Sequence, residues 1–65
     1  MSVQVGDIYT IEIHDHSNNG NIFIIVRPLD GRQTSGWETY NLTIGQYEWD
    51  YDSALLNPYI YRKLA

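Results

Sequence analysis

Cysteine is missing altogether, which removes both a disulfide framework and a thiolate metal site. A chain without disulfides fits a reducing compartment, and the expected location is cytoplasmic. Positive charge is scarce. Arg27, Arg32, Arg62 and Lys63 face eight acids, for a net charge of −4, and they form no basic run. Proteins hold nucleic-acid backbones with clustered Lys and Arg that release counterions. Direct nucleic-acid binding is therefore not expected. An acidic surface favours a protein partner with a basic surface, or simply keeps the chain in solution. Long apolar runs are also absent. The longest, Ile22 to Val26, is far too short to span a bilayer, so no membrane role is expected. The N-terminal residues show no basic region followed by an apolar one, and do not read as a signal peptide. Asn41-Leu42-Thr43 matches the glycosylation pattern, which has no meaning without a secretory route.

What the chain does have is aromatic side chains and period-two patterning. Its 65 residues make a single domain, residues 1–65. A domain this short buries only about 60% of its unfolded surface, so each large side chain counts. Two Trp, six Tyr and one Phe are the natural compensation. Val3 and Val5 alternate with polar residues, and Gly6 marks a bend or bulge. Ile8 to Ile13 resumes as a strand with Tyr9, Ile11 and Ile13 on one face. Asn19-Gly20 supplies a hairpin turn. Ile22 to Val26 then reads as a central strand whose pairing ends near Arg27, because Pro28 has no N–H. Trp37 to Ile44 is a third strand, with Tyr40, Leu42 and Ile44 on one face. Gly45-Gln46 turns the chain into Tyr47-Glu48-Trp49-Asp50-Tyr51-Asp52, where aromatic and carboxylate alternate strictly. In a strand the aromatics share one face and the acids the other. The aromatic face is expected to cover the core, leaving a ladder of negative charge in solvent. Asp52 or Ser53 offers a helix cap, Ala54-Leu55-Leu56 one helical turn of 3₁₀ type, and Pro58 ends it. Tyr59 to Leu64 closes as a short strand.

Five short strands with polar turns predict an all-β fold, a small five-stranded antiparallel SH3-like barrel with one short 3₁₀ turn before the last strand. The expected core includes Tyr9, Ile11, Ile13, Phe23, Ile25, Leu42 and Leu55. Val3-Gln4-Val5-Gly6-Asp7-Ile8-Tyr9 resembles the opening of SH3-like barrels, including the PemK-type toxin ribonucleases. The resemblance covers about seven residues and the element order. It implies a fold and no catalytic residue, since the matching basic RNA-binding residues are absent.

Three constellations carry possible function. Glu48, Asp50 and Asp52 offer an anionic strip for a cationic groove, with a repeat of ~6.6–6.8 Å along a strand. The plainer reading is a solvated face that keeps a strand edge soluble. Asp-x-Asp also offers oxygen ligands to calcium, but the remaining ligands and loop glycine are missing. His14 and His16 face the same way on a strand, yet two ligands do not close a tetrahedral metal site, so no metal is expected. Among the aromatics, most belong to the core. Trp37, Tyr47 and Tyr61 are the candidates for exposed binding residues, since aromatics dominate interface energetics. No Gly-rich phosphate loop, nucleophile elbow or triad spacing occurs, so neither an enzyme nor a cofactor is expected. The expected function is that of an inhibitor or decoy, of the mobile-element or phage accessory kind, aimed at a basic or nucleic-acid-binding protein. The alternative is a generic SH3-like interaction module or assembly subunit.

Overall fold

A computed structural model describes residues 2–13, 17–29 and 36–65. They form β1 (Ile8–Ile11), β2 (Ile22–Pro28), β3 (Gly36–Asn41), β4 (Gln46–Tyr51), a helical turn α1 (Asp52–Leu55) and β5 (Tyr61–Lys63). All five strands lie antiparallel in one sheet, in the order β4-β3-β2-β1-β5. The chain is thus all-β with one helical turn before its last strand, as the sequence predicts. The turn is α-helical rather than 3₁₀. No ladder joins β4 to β5 among the described residues, so the sheet is open along that line.

The first hairpin closes through Gly20, which has φ +85°, a conformation that costs a β-branched residue dearly. Its N–H donates to the Ile11 carbonyl at 2.9 Å. The connection is longer than a two-residue turn, and His14, Asp15 and His16 within it lie outside the described residues. Pairing of β2 with β3 runs further than Pro28 was expected to allow. Pro28 sits opposite Trp37, and the Leu29 N–H donates to the Gly36 carbonyl at 3.2 Å. The missing N–H does no harm there, because β1 pairs only with Ile22 to Ile24 and has already ended. A register shift between Ile25 and Arg27 bends β2 on the way, as bulges do.

The buried core comprises Val3, Tyr9, Ile11, Phe23, Ile25, Trp37, Leu55 and Tyr61, with Ile13 packed against it. Tyr61 stands edge-on to Tyr9 and Phe23, with ring centroids 6.2 and 6.1 Å away. Leu55 projects from α1 and closes one end of this core. The expected core member Leu42 is exposed instead. Strand β3 stops at Asn41, and residues 42–45 turn back through Gly45 at φ +69°. Asn41, fully buried, directs that turn: its Oδ1 accepts the N–H groups of Thr43 and Ile44. Asn41 therefore faces inward, and with it Thr39 and Trp37, two and four residues back on the same face. The alternate face of β3, with Glu38 and Tyr40, is turned outward.

Candidate functional site

Cross-strand partners share a face of the sheet, so the inversion of β3 inverts β4. Tyr47, Trp49 and Tyr51 lie opposite Tyr40, Glu38 and Gly36, and all three point outward. They are 63%, 54% and 55% exposed. The expectation that this aromatic face covers the core is therefore corrected. The acids Glu48 and Asp50, opposite Thr39 and Trp37, face the inside of the curl and are half-buried. They do not form a ladder in open solvent.

The outward rings interlock in pairs. Tyr40 and Tyr47 meet edge-to-face at 4.8 Å, and Trp49 and Tyr51 at 5.0 Å. Glu38, beside Trp49 across the ladder, is held by Arg27 at 2.9 Å. The result is a surface of paired aromatic rings with an ion pair beside it. Contiguous exposed aromatics of this kind mark interaction sites more often than scattered single residues do.

The inward acids are occupied by aromatic donors. The Tyr61 hydroxyl donates to Asp50 Oδ2 at 2.6 Å. The Trp37 indole Nε1–H donates to Asp52 Oδ1 at 2.9 Å. Buried Tyr and Trp need partners for their polar tips, and these carboxylates supply them. Asp52 does not cap α1: the cap position is Tyr51, with no side-chain cap bond. The Tyr61–Asp50 bond has a second consequence. Tyr61 lies on β5 and Asp50 on β4, the two open edges of the sheet. A side-chain bond spans the line where the main-chain ladder is missing.

Trp37 and Tyr61 are thus buried, at 9% and 8% exposure, while Tyr47 is open to solvent. Of the residues singled out from sequence, Asp50 joins Tyr61 and Asp52 joins Trp37. Tyr47 lies on the other face from them, and Glu48 beside Asp50 has no hydrogen bond or ion pair among the described residues. Trp49 and Tyr51 are surface residues that alternation alone does not reveal, because it does not say which face of the strand lies inside. A cleft of about 410 Å³ opens on the inner side of β4, lined in part by Glu48, Asp50, Ile60 and Tyr61, with Trp49 at its border.

Charge compensation is uneven. Arg27, Arg62 and Lys63 pair with Glu38, Glu12 and Asp7. Among the described acids, the three without a cation are Glu48, Asp50 and Asp52. Among the described residues, the negative charge without a cation is concentrated in β4 and at the start of α1.

The Tyr61 hydroxyl is pushed well above the ordinary tyrosine range. Burial is the main cause, followed by the hydrogen bond to Asp50 and then by the charges of Asp50 and Glu48. In the unfolded chain the same hydroxyl ionises near pH ~10. Above that pH the unfolded state releases a proton that the folded state keeps, so stability falls as pH rises. Below it the contribution is fully present. Tyr61→Phe should therefore flatten the alkaline loss of stability, as read from urea midpoints between pH ~8 and ~11. An alkaline limb equally steep in the variant would place its origin in another group. Tyr9, also raised chiefly by burial, is the natural residual contributor.

No helix among the described residues is long and apolar enough to cross a membrane. Compared with protein-family models, curated protein sequences and solved structures, the chain has no match.

Proposed function

We propose that the protein is a non-enzymatic binding module that engages a protein partner with a basic surface through the outward aromatic face of β4. The observation that carries this reading is the exposure of Tyr47, Trp49 and Tyr51 together on one strand. A small domain gains most by burying such rings, and leaving three outside forgoes that gain. The uncompensated acids on the other face of the same strand and at the start of α1, Glu48, Asp50 and Asp52, supply the sign of the partner. Arg and Lys are attracted both to carboxylates and to aromatic faces, the latter by ~0.5–1 kcal/mol at exposed sites and more when desolvated. Interface energy is concentrated in Trp, Tyr and Arg.

Within this reading, the target is a basic protein such as one that binds nucleic acid, and the protein acts as its inhibitor or decoy in the cytoplasm. Small size, net charge −4 and the clustered acids support it. The meander of β1 to β4, the return of β5 to β1 and the helical turn before β5 support a finer reading of the fold as SH3-like. A generic assembly module of that fold is the second reading, favoured by the apolar part of the same face.

Affinity capture from a host lysate, at low and at high salt, separates the two. The inhibitor reading expects capture of a basic protein that is weakened by salt. It also expects Trp49→Ala to reduce the measured affinity for that protein by roughly 30-fold or more, the effect of an interface hot spot. Salt-insensitive capture with the same Trp49 dependence favours the assembly module. Affinity unchanged by Trp49→Ala and by Tyr47→Ala removes the aromatic face from the interface.

A further inference from the structure

The open line between β4 and β5 has a main-chain side as well as a side-chain side. The Gly36 carbonyl accepts from Leu29 at 3.2 Å, so Gly36 directs its main-chain groups toward β2. Tyr51, opposite Gly36, is therefore not hydrogen-bonded to β3. Its N–H points to the open edge, where Asp50 Oδ1 accepts it at 2.7 Å. Antiparallel ladders alternate with a period of two. The N–H and C=O groups of Trp49 and Tyr47 accordingly also face the open edge. Here they meet no main-chain partner among the described residues.

We propose that this edge of β4 accepts an extended segment of a partner protein as an additional strand, with an Arg or Lys of that segment directed to Glu48. The proposal rests on the binding-module reading above and adds to it the mode of binding and the chemistry of the segment. Unpaired strand edges are templates for strand addition, in which main-chain bonds give affinity and side-chain pockets give specificity. Both parts are present. Tyr47 and Trp49 offer the main-chain groups, and the cleft of about 410 Å³ lies on the inner side of the same strand. An added strand sends alternate side chains to opposite faces. One set falls beside the rings of Tyr47 and Trp49. The other enters the cleft, where Glu48 is half-buried and has neither hydrogen bond nor ion pair among the described residues. A guanidinium or ammonium there meets Glu48 with Asp50 beyond it. Because Asp50 already caps the Tyr51 N–H, the added strand stops at that residue.

A second copy of this chain is the obvious competitor for the edge. Pairing β4 with β4 would set Glu48 and Asp50 of one copy against the same acids of the other. Like charges facing across a ladder oppose pairing, and inward charges are a known guard against edge-to-edge association. The charge that repels a copy attracts a basic strand.

The test uses the whole chain, ¹⁵N-labelled, and a synthetic peptide of about six residues alternating Thr and Val around a central Arg. Three peptide controls accompany it: Arg replaced by Glu, alternate backbone nitrogens methylated, and both changes together. The Arg peptide should shift the Tyr47 and Trp49 amides and slow their hydrogen exchange. Backbone methylation should weaken binding more than about tenfold, since it removes the donors of the new ladder. Glu48→Gln should weaken it about tenfold without moving the melting temperature. Failure of the Arg peptide to bind at millimolar concentration overturns the proposal. So does binding that is indifferent to backbone methylation. In that second case Trp49→Ala decides the fate of the wider reading: reduced affinity leaves the aromatic face as the binding surface, and unchanged affinity removes both. A free protein that sediments as a dimer, with the Tyr47 and Trp49 amides protected, assigns the edge to a second copy and equally overturns the proposal.

Discussion

Trp37→Ala should come close to unfolding the chain, while Trp49→Ala should leave it folded. Trp37 is 9% exposed, packs in the core and donates its indole N–H to Asp52. Truncating a buried Trp costs about 3–5 kcal/mol through lost transfer energy and the cavity left behind. A chain of this length has on the order of 3–10 kcal/mol in all, so little margin remains. For a domain this small, each kcal/mol moves the melting temperature by roughly 4–8 °C. Trp49 is 54% exposed and faces away from the core. Its removal should shift stability by only about 1 kcal/mol, the order of its edge-to-face pair with Tyr51. Urea unfolding of the two variants checks the pair. Equal losses, or a larger loss at Trp49, would mean that β4 is turned the other way.

The second large effect concerns the carboxylates. Asp50→Ala with Asp52→Ala should destabilise the fold by about 3–6 kcal/mol. Each change strips a charged acceptor from a buried aromatic donor, Tyr61 Oη or Trp37 Nε1. Such bonds are worth about 1.5–3 kcal/mol each, and the orphaned hydroxyl and indole N–H remain desolvated. The Asp50 change also releases the Tyr51 N–H and opens the side-chain bridge between β4 and β5. Asp→Asn at both sites should cost much less, because an amide oxygen still accepts. Glu48→Gln should cost almost nothing, as Glu48 has no hydrogen-bond partner among the described residues. A solvent ladder of three equivalent acids predicts the reverse: no loss, or a gain, on removing any of them. Thermal melts of the double Ala and double Asn variants separate the two accounts.

Much of the architecture was legible from local patterns. The strands β1, β2 and β5, the glycine at the first hairpin, and the helical turn ahead of the last strand all have their own residue signatures. Phase was not legible. Alternation over Tyr47 to Asp52 says that a strand has two unlike faces, and not which of them is inside. Choosing by hydropathy put Tyr47, Trp49 and Tyr51 inward, and put Leu42 there too. Three sets of side-chain hydrogen bonds decide otherwise, one local to a turn and two between residues distant in sequence. Asn41 is drawn inward by the main chain of its own turn, Trp37 finds Asp52, and Tyr61 finds Asp50. Once β3 is fixed by Asn41 and Trp37, the register carries β4 with it. A signal was present in the composition. The chain has more aromatic surface than so small a core can hold, and its buried Tyr and Trp need acceptors that alternate acids on a neighbouring strand supply. The end of β3 is hidden in the sequence for a related reason. Leu42 and Ile44 look like strand residues, and the turn that contains them is set by the Asn41 side chain and by Gly45.

Everything proposed for binding depends on β4 presenting its rings to solvent, and acrylamide quenching of tryptophan fluorescence in Trp49→Phe measures this. With Trp49 gone, the remaining emission comes from Trp37. The orientation described here predicts a folded variant whose remaining emission is blue-shifted and shielded from acrylamide. The emission lost relative to the parent protein should be the red-shifted, readily quenched part. A folded variant whose remaining tryptophan is readily quenched, with the shielded part lost, would contradict the account and return the aromatic face of β4 to the core.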